Sequence, residues 1–155
     1  MTLPDILPKS VSLGYSTIHV YGPTQIEGAQ LGYAYDLEGN WLAGQADGDW
    51  QATWTVIGYE NLCGDPIFVD RQTDSLAVYT ATHGTGSWKP VMIAASLQDF
   101  EEALKIIEEV AKGRETPVRL EHNPISSDER ENALTEIRKI TQVSEIEFWE
   151  SLLEK

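Results

Sequence analysis

Cys63, His83 and the acids Glu60, Asp65 and Asp70 are the residues of this chain whose types suit a reaction. A thiol beside an imidazole makes a nucleophile and its base, because the thiolate is the attacking species and something must take the proton. No oxyanion-hole pattern accompanies the pair, and Cys63 reads more simply as a small packing residue. The three acids lie close together in sequence, as an acid/base pair of a small hydrolase would require, and also as charged turns beside strands commonly do. Metal chemistry finds little support. His19, His83 and His122 share no ligand spacing, and Cys63 is the single cysteine, so neither a zinc site nor an intrachain disulfide is expected. Asp47-Gly48-Asp49 has the opening of a calcium loop, but the position that needs a bidentate Glu falls on Gly58. His83-Gly84-Thr85-Gly86-Ser87 lacks the Lys-Ser/Thr ending of a phosphate-binding loop and a helix directly behind it, which leaves a hairpin loop. No cofactor is expected.

Charge and tryptophan placement point toward binding. The chain of 155 residues carries a formal charge of −14. Residues 1–100 hold 11 acids and 3 bases, and residues 101–155 hold 14 acids and 8 bases. Such a surface repels nucleic-acid phosphates, whose binding depends on Lys and Arg, and it attracts and steers a basic protein. Of Trp41, Trp50, Trp54 and Trp88, all of which suit a core, Trp54 lies in an apolar run and is expected there. Trp50 and Trp88 fall in or beside polar breaks, where aromatic anchors rimmed by acids suit a protein interface. The predicted contact set is therefore Trp50, Glu60, Asp65, Asp70, His83 and Trp88.

The elements that must position these residues follow from periodicity. Residues 1–14, with Pro4, Pro8 and Gly14, read as an extended lead-in. Alternating patterns predict strands at Ser16–Tyr21, Gln30–Tyr35 and Trp54–Tyr59. Ile67-Phe68-Val69 is apolar on both faces and predicts a strand near the sheet centre. Leu76–Thr80 and Val91–Ala94 complete about six strands, and the short connections suit an antiparallel meander. Ser96 and Asp99 then open an amphipathic helix bearing Leu97, Phe100, Leu104, Ile107 and Ala111, ended by Lys112-Gly113. Glu115–Pro124 reads as a linker in which Val118 and Leu120 alternate as an edge strand. Capping boxes at Ser126/Glu129 and Ser144/Glu147 predict two C-terminal helices. The fold class is thus α+β: a central antiparallel sheet packed by one helix over residues 1–113, followed by a linker and helical hairpin over 114–155. The hairpin docks either on the domain or on a second copy. No signal peptide and no membrane-length apolar run is visible, so a cytoplasmic protein is expected.

One combination of motifs is specific. Trp54–Ile57, Cys63-Gly64-Asp65-Pro66-Ile67-Phe68-Val69-Asp70, Val78-Tyr79, His83-Gly84, Trp88, then Ala95-Ser96-Leu97 and Phe100 together resemble the SUKH superfamily. That group includes fungal Smi/Knr cell-wall assembly regulators and many bacterial immunity proteins. The likeness spans residues 50–104. The family's leading helix with its Leu-Pro signature is represented only by Leu3-Pro4 and Leu7-Pro8, and the tail beyond Gly113 lies outside the usual core. The resemblance implies an α+β domain without catalysis whose cleft binds proteins, and in bacteria an immunity protein that neutralises a toxin. A scaffold module that self-associates through its C-terminal helices, and a small hydrolase using the acidic cluster, are the alternatives.

Overall fold

The computed structural model describes residues 3–154. Met1, Thr2 and Lys155 lie outside the described residues, so the predicted lead-in is followed from Leu3. Six strands form one antiparallel sheet in sequence order: β1 (Lys9–Leu13), β2 (Ser16–Val20), β3 (Trp54–Glu60), β4 (Pro66–Asp70), β5 (Val78–Thr80) and β6 (Val91–Ala94). With five helices, α1 (Ile26–Ala29), α2 (Leu97–Ala111), α3 (Pro117–His122), α4 (Ser127–Thr141) and α5 (Glu147–Leu153), the chain has the expected α+β class.

The middle of the sheet is buried on both sides. Ile67, Phe68 and Val69 of β4 are all fully buried, and they alternate between two cores. Ile67 and Val69 join Val11, Ile18, Ile57, Val78 and Ile93 beneath α2, α4 and α5. Phe68 faces the other way, against Val56, Trp50 and Ala34. A bulge between Val56 and Gly58 adjusts β3 to this arrangement. It keeps Ile57 under the helices and turns Tyr59 to the opposite face, where its ring stacks on His19 at 4.7 Å. Gly58 is required beside the bulge, because a Cβ there would run into the backbone carbonyl of His19 on β2.

The predicted strand at Gln30–Tyr35 does not form. The chain makes the single turn of α1 and then a series of turns and isolated bridges. The side chain of Gln30 nevertheless acts as a strand would. Its amide donates to the Val56 carbonyl at 2.9 Å and accepts from the Val56 N–H at 2.8 Å, continuing the pairing beyond the end of β2. Conversely, the lead-in contains β1, which pairs with β2 from Lys9↔Val20 to Leu13↔Ser16. Val11 and Leu13 point into the helical core, and two apolar positions in a five-residue strand make a weak sequence signal.

The linker is also corrected. Residues 117–122 form α3, capped by Thr116 and opened by Pro117, and only Leu120 is buried. Proline at the first helical turn lacks a donor that would be unused there, so the spacing of Val118 and Leu120 misleads. Ser126 and Glu129 make the expected capping box. Ser144 does not cap α5, whose N-cap is Ile146 without a side-chain bond. That helix is held by packing and by Trp149, fully buried, whose indole N–H donates to the Ile93 carbonyl of β6 at 2.9 Å. Ala133, Leu134, Ile137, Trp149, Leu152 and Leu153 thus bury within their own chain, in the same core as the sheet.

Arg114 joins the helical elements. It is almost fully buried, donates to the carbonyls of Val110 and Asn123, and forks onto both Glu129 carboxylate oxygens at 3.0 and 3.1 Å. Its own carbonyl accepts from Gly14 N–H in the β1–β2 turn. A guanidinium is suited to this because its planar fork serves several acceptors at once.

Two outcomes follow. Trp149→Phe keeps most of the packing and strands the Ile93 carbonyl, so urea denaturation should register a loss of about 1–3 kcal/mol. The hydrogen bonds from Arg114 hold the Glu129 carboxyl below its usual range. A depressed carboxyl contributes stability that is present above its unfolded pKa, about 4.3, and is lost as pH falls through the folded value. Glu129→Gln should therefore flatten the fall of stability with acid below about pH 4.5, measured by denaturant midpoints against pH.

Candidate functional site

The two hairpin loops expected to make contact meet at one end of the sheet. Glu60 ends β3, and its carboxylate accepts from the N–H groups of Leu62 (2.6 Å) and Cys63 (3.0 Å), so it caps its own turn. Gly64 completes that turn at a φ of +76°, the left-handed region the sequence reserved for it. Asp65 then reaches across to the β5–β6 loop, accepting from the His83 backbone N–H at 3.1 Å and bonding its ring Nδ1 at 2.7 Å. The imidazole is half exposed. Glu60, Asp65 and His83 are thus brought together, in an arrangement that ties two loops to each other.

Asp70 is not with them. It lies at the far end of β4, about 16 Å away at roughly 3.3 Å per residue, opposite Trp54, with its carboxylate accepting from Gln72 N–H. The acidic cluster of the sequence is therefore split by the length of a strand. Cys63 is exposed, and its thiol is pushed above the ordinary range by desolvation first and then by the charges of Glu60 and Asp65. A catalytic thiol needs the opposite shift. Clefts of about 270 to 530 Å³ on the surface are lined by other residues, among them Tyr15, Leu120 and Arg130 in one and Ile6, Phe100 and Lys105 in another. Among the described residues no three His, Cys, Asp or Glu side chains are grouped to hold a metal.

The tryptophans are distributed differently from the expectation. Trp50, placed by its polar neighbours at the surface, is 2% exposed. It is the hub of an aromatic layer over the second sheet face, with Tyr33, Trp54, Phe68 and Trp88 at centroid distances of 4.8 to 5.2 Å. Trp50 therefore cannot reach a partner. Its indole N–H has no hydrogen-bond partner among the described residues, and the rings of Trp54 and Trp88 lie nearly perpendicular to it. Trp54 and Trp88 are half buried at the edge of the layer. Tyr33 and Tyr79 line its rim, their hydroxyls raised in pKa first by burial and then by Asp65 and Asp70 respectively.

Trp41 is the tryptophan that reaches solvent, at 62% exposed. Sequence reasoning grouped it with core candidates, and a neighbouring signal was available: residues 10–70 contain eight acids and neither Lys nor Arg. The loops of such a stretch carry its charges to solvent, and the aromatics beside those charges divide between covering the sheet and facing outward.

Trp50→Ala should cost about 3–5 kcal/mol by denaturant melting and abolish the near-ultraviolet circular dichroism of the aromatic layer, whereas Trp41→Ala should change stability by less than about 0.5 kcal/mol. Asp65→Asn should speed alkylation of Cys63 near neutral pH by removing a charge that opposes the thiolate, read as a downward shift in the pH midpoint of the reaction rate. No family model, curated protein or solved structure matches this chain.

Proposed function

We propose that this chain is a non-enzymatic binding module whose partner is a basic protein domain. In the immunity setting that the SUKH resemblance implies, that partner is a toxin, neutralised in the cytoplasm by occlusion. The observation that carries the reading is the charge asymmetry of the molecule. Strands β2 to β4 and most of the layer over the second sheet face derive from a stretch, residues 10–70, with eight acids and no Lys or Arg. The helical side instead intersperses its charges, pairing Lys9 with Glu108, Lys105 with Glu102 and Lys112 with Glu109. A predominantly acidic face raises the encounter rate with a cationic surface and discriminates against acidic ones. The chemistry-bearing residues are occupied in holding loops: Glu60 caps a turn, and Asp65 and His83 bond each other. Self-association through the C-terminal helices has less to recommend it, because their apolar side chains are spent on the chain's own core.

The test is recovery of the partner from source cells at low salt, followed by reconstitution from the two purified proteins. The on-rate should fall by about tenfold or more between low and high salt. Glu27→Lys combined with Asp47→Lys, both exposed, should slow association several-fold at low salt and little at high salt. An association indifferent to salt, or the absence of any partner that reconstitutes, would sink the reading.

A further inference from the structure

Four of the ten large apolar side chains exposed among the described residues belong to one loop: Leu31 (42%), Leu37 (88%), Trp41 (62%) and Leu42 (46%). Isolated exposed leucines are ordinary, but a concentration of this kind on a short segment is the mark of a contact surface. The loop is also built to hold its shape. Leu31 and Trp41 both bridge to Tyr35, and Leu42 N–H donates to the Ala34 carbonyl at 2.7 Å. At the tip, the Asp36 carboxylate accepts from Glu38 N–H, Asn40 N–H and the Asn40 side-chain amide at 2.8 to 3.1 Å. Ala34 is buried in the aromatic layer, and Tyr35 ties the loop to α1 by donating to the Glu27 carbonyl. Tryptophan, among the commonest interface hot spots, is thus presented on a pre-organised loop that has little entropy left to lose.

The charges along this stretch of the chain select its occupant. Glu27, Glu38, Asp47 and Asp49 are exposed, Asp36 is ionised at the tip, and no Lys or Arg occurs between Lys9 and Arg71. A second copy would bring the same acids face to face and is disfavoured by repulsion. A partner carrying Lys and Arg around an apolar recess satisfies both halves of the surface.

We infer that residues 31–42 form the docking surface of this protein for a basic polypeptide, with Trp41 as the anchor that enters an apolar recess of the partner and Leu37 beside it. This rests on the binding-module reading above and moves the contact from the hairpin loops at Glu60–Asp65 and His83–Trp88 to the layer that covers the second sheet face.

The probe is a displayed random-peptide library, selected on the intact protein at low salt. Enriched peptides should place Lys and Arg around an apolar centre and bind at least tenfold tighter than scrambled peptides of the same composition. Their affinity should drop about 30-fold or more for Trp41→Ala, as expected of a hot spot, and several-fold for Leu37→Ser. Enrichment of base-free peptides, no enrichment, or equal binding to Trp41→Ala would overturn the inference. So would a dimer in sedimentation that Trp41→Ala dissolves, since the occupant is then a second copy. A reconstituted natural partner that binds Trp41→Ala undiminished removes this surface and leaves the proposed function standing. Failure to reconstitute any partner removes the proposed function itself.

Discussion

Burial of the central strands on both faces is the constraint that shapes this molecule. Ile67 and Val69 on one side of β4 and Phe68 on the other are inaccessible to water, so neither face of the sheet can be left bare. An antiparallel sheet usually resolves this with one covered and one solvated face. Here the central strands need two covers, and the chain makes them from different materials. Helices α2, α4 and α5 supply a thick aliphatic layer on one side, closed by Trp149 and pinned by Arg114. On the other side lies a mostly irregular layer of tryptophan and tyrosine drawn from residues 21–88.

The two covers differ in what they leave for function. A helix satisfies its own backbone and lets its outer face carry alternating charges, as α2 does with Glu102, Lys105 and Glu109, the last paired with Lys112 at its C-cap. An irregular layer must find partners for its N–H and C=O groups one at a time. It does so with side-chain amides and carboxylates: Gln30 pairs with Val56, Asp36 folds its own turn, and Gln51 donates to the carbonyls of Ala46 and Asp49. Polar side chains with fixed roles therefore gather where the backbone is irregular. The same loops, fixed by those bonds, hold exposed apolar groups that a helix of this amphipathic kind would have turned inward.

Legibility of the sequence followed the periodicity of burial. Strands β2 to β6 and helices α2 and α4 were readable because a repeated contact with one core imposes a repeat of two or of 3.6 on the residues. β1 escaped because two apolar positions in five residues, directly after Pro8, make too short a pattern, and α3 because a helix with one buried residue has no stripe to read. The apparent strand at Gln30–Tyr35 arose from alternating tyrosines that serve an aromatic layer instead of a ladder. Among the site residues, the tie between Asp65 and His83 and the separation of Asp70 required the register of β4 against its neighbours.

Local composition alone determined the class of fold, the order of most elements, the acidity of residues 10–70 and the lack of a metal-ligand pattern, because each of these is a property of neighbouring residues along the chain. Which tryptophan is buried and which faces solvent was decided only by tertiary structure. Trp41 and Trp50 sit in similarly polar stretches, and what separates them is whether the bare face of Phe68 lies within reach once the sheet has closed. That distance is set by strand pairing across the whole chain, and no window of sequence contains it.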